Sequence, residues 1–303
     1  MSSKKMGPHF RGKRADKTEL KINFKTRNFV CQDEASEMFI GEWAEKRGIR
    51  DQLVIATKYS MTYKAGDDTI SKKVTYVGNS VKSRHVSVEA GLKKLRTTYI
   101  DIFYLHWWDW HTGGDEWAAQ PCRAGKGESV RARSRQNTVA IYQGAWNVMD
   151  RFFEREIIPM ARAQGLALAP WNVVGGGKFR TDAEEEQRRT TGGNGRTIFG
   201  VEWERTEAEK KVSAALEKVA GEVETKSLTA VTIACVMQKV PYCSPIIGGR
   251  KVEHLLSNLE ALNVSLSQEQ IDFLESVTPL DPGFPSFLIV LVFLSISQPW
   301  CCN

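Results

Sequence analysis

The chain has 303 residues, of which 42% are hydrophobic and 26% are charged, as is ordinary for a globular protein. Its formal net charge of +6 comes from basic residues dispersed along the sequence, which argues against a nucleic-acid-binding protein and is compatible with an anionic ligand such as a phosphorylated cofactor. The six cysteines have neither metal-ligand nor disulfide-framework spacing, and residues 1–30 lack the apolar core of a signal peptide, so we expect a reducing, cytoplasmic setting.

The N-terminal part of the chain predicts an arm, a helix and a long polar loop. Residues 1–30 contain many charges and no hydrophobic periodicity, and we expect a poorly ordered arm. A helix is predicted to begin near Asp33, where acidic residues favour a helix N-terminus and apolar residues follow at helical spacing. The segment 62–84 is rich in Gly, Asp, Lys and Ser, which indicates either a mobile lid or a disordered loop.

Two short apolar segments, with a helical pattern over residues 85–96 between them, predict a βαβ unit. Leu53–Thr57 and the run that begins at Ile100 are rich in β-branched and aromatic residues, as buried parallel strands are. Lys58 follows the first strand, and His106 stands at the end of the second. We therefore expect both side chains on the same face, where parallel α/β folds build their sites. A histidine satisfied by hydrogen bonds in a packed core is the alternative.

Several of the nine tryptophans stand near predicted strand ends: Trp107, Trp108, Trp110, Trp146 and Trp171. Flat apolar walls beside polar groups suit an aromatic or ring-shaped ligand. Filling of core volume is the alternative for each tryptophan singly.

The middle of the chain contains an irregular stretch followed by a helical pattern. Residues 111–137 have little apolar periodicity and become basic from Arg123 onward, which favours a solvated linker over an anion-binding loop. A helix is predicted over Val148–Gln164, because its apolar residues recur at helical spacing.

A glycine-rich loop follows the predicted strand Leu166–Ala169. It covers Val173–Phe179 and contains a triple glycine and a lysine: Gly175, Gly176, Gly177 and Lys178. Glycines let backbone N–H groups approach an anion closely, so this loop is a candidate phosphate cradle, with a flexible turn as the alternative. The polar residues 180–200 are predicted to form a further loop.

The C-terminal part predicts helices over Glu207–Val223 and Leu228–Lys239 and a strand over Ser244–Ile247. Two glycines and two cations follow this strand and open the next helix: Gly248, Gly249, Arg250 and Lys251. Glycines, cations and a helix N-terminus together are the strongest phosphate-site signal in the chain. A last helix is predicted over Ser267–Val277, with a capping box between its first serine and Gln270.

Five segments, in this order, resemble the aldo-keto reductases, and more narrowly their fungal aryl-alcohol dehydrogenase and norsolorinic acid reductase branch. The segments are IATKYS (55–60), YIDIFYLHWWDW (99–110), IYQGAWNVMDRFFEREIIPMAR (141–162), LALAPWNVVGGGKF (166–179) and IIGGRKVEHLLSNLEAL (246–262). The likeness implies a (β/α)8 barrel of the TIM type, with its site at the carboxyl ends of the strands.

The resemblance also implies roles for individual residues and NADP as the cofactor. Lys58 matches the family lysine that tunes the proton-donating tyrosine, and His106 matches the histidine that orients the substrate. Gln143 matches the contact to the nicotinamide amide, and Trp171 the residue that stacks on that ring. The segment over the pyrophosphate corresponds to Gly175, Gly176, Gly177 and Lys178. The segment that holds the adenosine and its 2′-phosphate corresponds to Gly248, Arg250, Lys251 and Asn258.

The catalytic tyrosine of the family has no counterpart at its expected place. Aligned on Gln32, its position falls on Cys31, or on Phe29 if the gap is shifted. A thiol donor with different geometry and reactivity is a further alternative. The family's aspartate partner is also missing upstream, where Asp16 stands in an unrelated context.

Two further stretches depart from the family pattern. Residues 111–138 are an aberrant insert in place of a βα unit, and residues 286–303 are an apolar tail whose run 287–296 is too short to span a bilayer. We count about five of the eight strands, so the barrel over residues 31–285 is expected to be incomplete.

Two functions remain open from the sequence. The first is an NADP-dependent aldo-keto reductase that acts on an aromatic aldehyde, ketone or alcohol in fungal secondary metabolism. The second is a catalytically inactive relative that retains at most NADP binding. Both imply a small-molecule partner, no nucleic acid and no membrane span, and neither requires a metal.

Overall fold

The computed structural model describes residues 23–25, 34–107, 140–191, 203–249, 251–281 and 283. The chain divides into two compact units, Met1–Thr138 and Val139–Asn303. The predicted insert at 111–138 and the apolar tail at 286–303 lie outside the described residues. No helix in the described part of the chain is long and apolar enough to cross a bilayer.

The first unit is built on a three-stranded parallel sheet in the order β1-β2-β3. Its elements are β1 (Asn23–Lys25), α1 (Ala35–Arg47), β2 (Val54–Tyr59), α2 (Val81–Leu95) and β3 (Ile102–Leu105). The strand β1 lies inside the segment 1–30, for which the sequence predicts no element, and it pairs in parallel with β2. The predicted βαβ unit is confirmed, because α2 connects two parallel neighbours.

The helices of this unit follow from local signals. The α1 helix ends at Gly48, whose φ of 63° is the left-handed conformation typical of a glycine C-cap. The α2 helix begins four residues before the apolar pattern does, because the Ser80 side chain accepts a hydrogen bond from the N–H of Ser83. A core cluster that includes Ala44, Ile55 and Leu95 packs α1 and α2 against the sheet.

The segment 62–84 contains more regular structure than its composition predicts. It includes a 3₁₀ turn at Lys73–Tyr76 and the first residues of α2. Tyr63 is buried, and Lys64 forms an ion pair with Glu34 at 2.6 Å. These tertiary contacts involve single residues, which hydrophobic periodicity does not register.

The second unit contains two paired strands and seven helices in its described part. They are β4 (Ile141–Tyr142), α3 (Phe152–Arg155), α4 (Ile157–Gln164), β5 (Ala167–Leu168), α5 (Asp182–Thr191), α6 (Glu207–Glu222), α7 (Leu228–Lys239), α8 (Val252–Leu259) and α9 (Gln268–Val277). β4 and β5 are parallel. Residues 244–247, which the sequence predicts as a strand, do not form a regular strand, but they lie beside β5, since the N–H of Ser244 donates to the carbonyl of Leu168 at 2.8 Å.

The prediction of one helix over Val148–Gln164 was wrong. The Oδ1 of Asn147 accepts hydrogen bonds from the N–H groups of Met149 and Asp150, at 2.8 and 2.7 Å. This side-chain turn competes with helix formation, so the first helical turn starts only at Phe152. Non-helical dihedrals at Glu156 then separate α3 from α4.

The prediction of a loop over residues 180–200 was also wrong, because α5 occupies Asp182–Thr191. Thr181 and Glu184 exchange side-chain-to-backbone hydrogen bonds of 2.9 and 3.1 Å at its start, which is the capping-box arrangement. The helix buries a carboxylate, Glu185, rather than an apolar stripe, and this hides it from a search for hydrophobic periodicity.

The remaining helices of this unit confirm the sequence patterns. α6 and α7 lie where the periodicity predicts them, and the capping box between Ser267 and Gln270 opens α9. The three helices bury their apolar faces in one cluster, which includes Leu216, Val231 and Leu274.

Candidate active site

Lys58, Tyr104 and His106 share one face of the first unit's sheet. Lys58 pairs in register with Tyr104 on the neighbouring parallel strand, so the two side chains point to the same side. The Nζ of Lys58 lies 5.8 Å from the centre of the Tyr104 ring. His106 comes two residues after Tyr104 and continues the same alternation. The structure therefore brings Lys58 and His106 to one face, as the sequence predicts.

These side chains lie in a largely desolvated setting. Lys58 is only 8% exposed, and burial raises the pKa of the Tyr104 phenol. The backbone N–H of His106 donates to the carbonyl of Tyr59 at 3.0 Å, which continues the strand pairing to His106. Trp107 follows and is exposed, and its N–H donates to the Ser60 hydroxyl at 2.9 Å.

The opposite face of β2 carries a buried ionic network that the sequence analysis missed. The Thr57 hydroxyl donates to the carboxylate of Glu37, which is buried and also pairs with the ammonium of Lys94. Lys94 forms a second ion pair with Glu34, at 3.0 Å. The signal in the sequence is an acidic residue within the buried stripe of α1, on the same face as Gly41. The network fixes the strand residue immediately before Lys58.

In the second unit, Gln143 and Trp171 lie beyond the carboxyl ends of β4 and β5. The N–H of Trp171 donates to the carbonyl of Gly144 at 2.9 Å, which extends the parallel pairing past the strands. Gln143 directly precedes Gly144 and is partly buried. The Trp171 side chain is 40% exposed, so its indole has an open surface.

A buried tryptophan, Trp146, is hydrogen-bonded to the backbone of Trp171. Trp146 is fully buried and stacks on Phe153 with ring centres 5.6 Å apart. Its Nε1–H donates to Glu154 at 3.0 Å, and its backbone N–H donates to the carbonyl of Trp171 at 3.1 Å. The packing of Trp146 thus bears directly on the position of Trp171.

Glu154 belongs to a cluster of four charged side chains that joins α3, α7 and α9. Arg151 donates to Glu154 at 2.8 Å and to Glu275 at 2.7 Å, and Lys239 pairs with both carboxylates. Burial alone would raise the pKa of Glu154, but the hydrogen bonds from Arg151, Lys239 and Trp146 outweigh it and hold this pKa below its usual value.

The glycine loop forms a tight turn that only glycine accommodates easily. Gly175, Gly176 and Gly177 have φ of 57°, 64° and 89°, all in the left-handed region. The N–H of Gly177 donates to the carbonyl of Val174 at 2.9 Å within the turn. Lys178 pairs with Glu209 at 3.3 Å, so its charge is partly compensated inside the protein.

Two buried arginines stabilise the glycine loop and the residue that follows it through hydrogen bonds to backbone carbonyls. Arg180 donates to the carbonyl of Gly177 at 2.8 Å, and Arg205 donates to the carbonyl of Arg180. Both guanidinium groups share the carboxylate of Glu185. Burial tends to raise the pKa of Glu185, but the hydrogen bonds from Arg205 and Arg180 dominate and lower it. The sequence analysis missed this cluster, because Arg180 and Glu185 lie in the segment 180–200 that was predicted as a loop.

A cavity of about 320 Å³ lies at the predicted adenosine site. It is lined by Ile247, Gly248, Gly249, Lys251, Val252, Leu255 and Asn258. Asn258 is buried, whereas Lys251 is exposed at the start of α8. The structure thus brings together Gly248, Lys251 and Asn258, while Arg250 lies outside the described residues.

Comparison with known proteins decides the family. A protein-family sequence model, described as "Aldo/keto reductase family", matches residues 27–120 and 123–279. The chain belongs to the aldo/keto reductase family. Among the relatives of this aldo/keto reductase, the NADP(+) aryl-alcohol dehydrogenase of Phanerodontia chrysosporium is 50% identical over 88% of the chain and 75% of the relative. Norsolorinic acid reductase B of Dothistroma septosporum is 41% identical over 82% of the chain and 67% of the relative.

The chain is similar in fold to a solved structure. The crystal structure of a thermostable aldo-keto reductase with the inhibitor epalrestat has a TM-score of 0.56 and 21% identity, over 81% of this chain and 78% of that one. At 21% identity, this similarity supports a common fold and nothing further. Family and fold together imply a (β/α)8 barrel.

Proposed function

We propose that this aldo/keto reductase interconverts an aromatic aldehyde or ketone and its alcohol with NADP(H). The observation that carries the proposal is the common face of Lys58 and His106 at the ends of adjacent parallel strands. The proposal is supported by the 50% identity to a relative named an NADP(+) aryl-alcohol dehydrogenase. The similarity to norsolorinic acid reductase B favours a role in fungal secondary metabolism.

The residues present in the second unit fit a dinucleotide with a 2′-phosphate. The cavity beside Gly248 offers glycine backbone, the buried amide of Asn258 and the exposed ammonium of Lys251. The open face of Trp171 offers a stacking surface for a flat ring, and Gln143 directly precedes Gly144, whose carbonyl accepts a hydrogen bond from the N–H of Trp171. When bound, NADP(H) would supply or accept the hydride.

Further cofactor contacts are proposed from the sequence match. Arg250 would add a second cation at the 2′-phosphate. The loop formed by Gly175, Gly176, Gly177 and Lys178 would lie along the pyrophosphate, held in shape by the arginine behind it.

The first unit would supply the polar chemistry at the carbonyl. His106 would orient the substrate oxygen through its imidazole, and Lys58 would provide a buried positive charge that favours negative charge nearby. Both roles need a desolvated site, because water would weaken the electrostatic interactions. The low exposure of Lys58 meets this requirement.

A second candidate function rests on the residues before Gln32. Cys31 or Phe29 stands where the family places its catalytic tyrosine, and both lie outside the described residues. In this second function the chain itself is an inactive member of the family, with an incomplete barrel over residues 31–285. It would bind NADP and not turn it over. For either function we propose a reducing, cytoplasmic location, with Cys235 and Cys243 as unpaired thiols.

Titration of the purified 303-residue chain with NADPH, followed through tryptophan fluorescence, tests both candidates. Saturable quenching with NADPH consumption after addition of benzaldehyde supports the reductase, and quenching without consumption supports the inactive relative. The variant Trp171→Phe should lose part of the quenching, whereas Trp43→Phe on α1 serves as the matched control. Absence of binding would contradict both functions.

A further inference from the structure

Reduction of a carbonyl requires an acid that protonates the oxygen as the hydride adds to the carbon. The residues before Gln32 offer a thiol or a phenyl ring at the expected position. The chain contains seven tyrosines, and all of them lie in the described part of the structure. Their positions therefore decide which phenol can serve.

Four of the five tyrosines in the first unit point away from Lys58. Tyr59 alternates to the opposite face of the sheet and stacks on Phe103 at 5.0 Å. Tyr63 and Tyr76 form an edge-to-face pair, with the first of them against the ammonium of Lys94 on the helix side.

The fourth of these, Tyr99, precedes β3 and donates to Asp51 at 2.6 Å, so it lies at the amino end of the strand. In the second unit, Tyr142 packs against Phe153, and Tyr242 is exposed. Tyr104 is the tyrosine of the first unit that faces the same side of the sheet as Lys58 and His106.

We propose that Tyr104 is the proton donor of this chain, with Lys58 as the cation that stabilises its phenolate. This inference rests on the proposed reductase function. The carbonyl carbon gains the hydride, which NADPH provides on oxidation to NADP⁺, while the Oη–H bond of Tyr104 breaks and its proton passes to the carbonyl oxygen. The product is the alcohol, and the phenolate recovers a proton from water.

The surroundings of Tyr104 suit an acid. Burial raises the pKa of its phenol, so the proton is held at neutral pH until charge develops on the substrate oxygen. The Nζ of Lys58 lies 5.8 Å from the ring centre, and a positive charge at this position would favour the ionised phenolate. His106 follows Tyr104 by two residues and is the next titratable group along β3 on this face.

A measurement of ionisation tests the pairing without cofactor or turnover. 3-Fluorotyrosine is placed at position 104 or, as a matched control, at position 59, and the ¹⁹F signal is followed against pH. In the background Lys58→Met, the pKa at position 104 should rise by about one pH unit, because a neighbouring positive charge is lost. The pKa at position 59 should stay unchanged. An unchanged pKa at position 104 would overturn the inference.

Turnover of benzaldehyde and binding of NADPH are then compared in three variants. Tyr104→Phe should bind NADPH like the parent and lose turnover by about 100-fold or more, whereas Tyr59→Phe and Cys31→Ser should retain it. Loss of turnover in Cys31→Ser with retention in Tyr104→Phe would assign the thiol and overturn the inference.

Measurements on the parent chain distinguish failure of the proposed reductase function from failure of Tyr104 as the proton donor. NADPH binding without turnover in the parent would overturn Tyr104 as donor and leave cofactor binding intact. Failure of the parent to bind NADPH would instead contradict the proposed function, and the ¹⁹F titration would still decide whether Lys58 acts on Tyr104.

Discussion

The backbone N–H of Trp146 donates to the carbonyl of Trp171 at 3.1 Å, and this bond joins a fully buried tryptophan to one that is 40% exposed. Trp146 is anchored by the carboxylate of Glu154, which in turn is held by Arg151 and Lys239. This ionic cluster therefore helps to fix the position of Trp171, on which we propose that the nicotinamide ring stacks.

Replacement of Glu154 by glutamine should destabilise the protein by about 3 kcal/mol, because the buried Arg151 and the partly buried Lys239 each lose one of their two carboxylates. Unfolding in urea, followed by tryptophan fluorescence, measures the change. Glu207→Gln breaks an exposed pair with Lys210 and should leave the unfolding midpoint unchanged. Equal midpoints for the parent and Glu154→Gln would contradict the role of the cluster.

Acid should destabilise the parent more than Glu154→Gln. The folded-state pKa of Glu154 lies below the ordinary value of 4.5, so its stabilisation is present above that value and is lost as the pH falls through the folded-state pKa. Urea midpoints measured from pH 7 to pH 3 should fall more steeply in the parent below pH 4.5. Parallel curves for the two proteins would show that Glu154 contributes nothing to the acid transition.

Substitution of Gly41 by alanine should destabilise the first unit by about 2 kcal/mol or more. A Cβ at this position would lie 2.7 Å from the Cα of Leu95, in the backbone of α2, so the two helices would have to separate. Gly221→Ala in α6 meets no atom within 4 Å and should be neutral or stabilising by about 0.5 kcal/mol. Circular dichroism during urea unfolding compares them, and similar losses in both would argue against a close approach of α1 and α2.

Lys251→Met should weaken NADPH binding by about tenfold and leave NADH binding unchanged, because the two cofactors differ by the 2′-phosphate. Lys251 lines the cavity at the start of α8. Lys226→Met removes an exposed lysine elsewhere in the same unit and serves as the control. Equal weakening for NADPH and NADH would remove Lys251 from the phosphate site.

The strands β2 and β3 and the placement of Lys58 and His106 on one face were predictable, because apolar runs fix these two strands and the polar residues at their ends mark the edge of the site. The strand β1 was not predictable, because residues 1–30 show no hydrophobic periodicity. The cavity beside Gly248 was likewise signalled by glycines before a helix. The helix α5 was not predictable from periodicity, since it buries the charge of Glu185 against arginines. Likewise, Asn147 stops a helix through a local side-chain turn whose strength the apolar pattern does not record.

The likeness in sequence also could not indicate the relation between Lys58 and Tyr104. It depends on the register of two parallel strands, which sets the two side chains on one face. A pairing shifted by one residue would have turned one of them toward the helices. Register is a tertiary property, so the candidate donor emerged only from the structure.

The most direct test of the proposed function is transfer of deuterium from NADPH labelled with deuterium at nicotinamide C4 to benzaldehyde. The 303-residue chain is incubated with the labelled cofactor and the aldehyde, and the benzyl alcohol is analysed by NMR. We expect deuterium on the benzylic carbon of the alcohol formed by the parent chain, and no transfer by Lys58→Met. Saturable binding of NADPH with no deuterated alcohol from the parent chain would contradict the reductase and support the inactive relative.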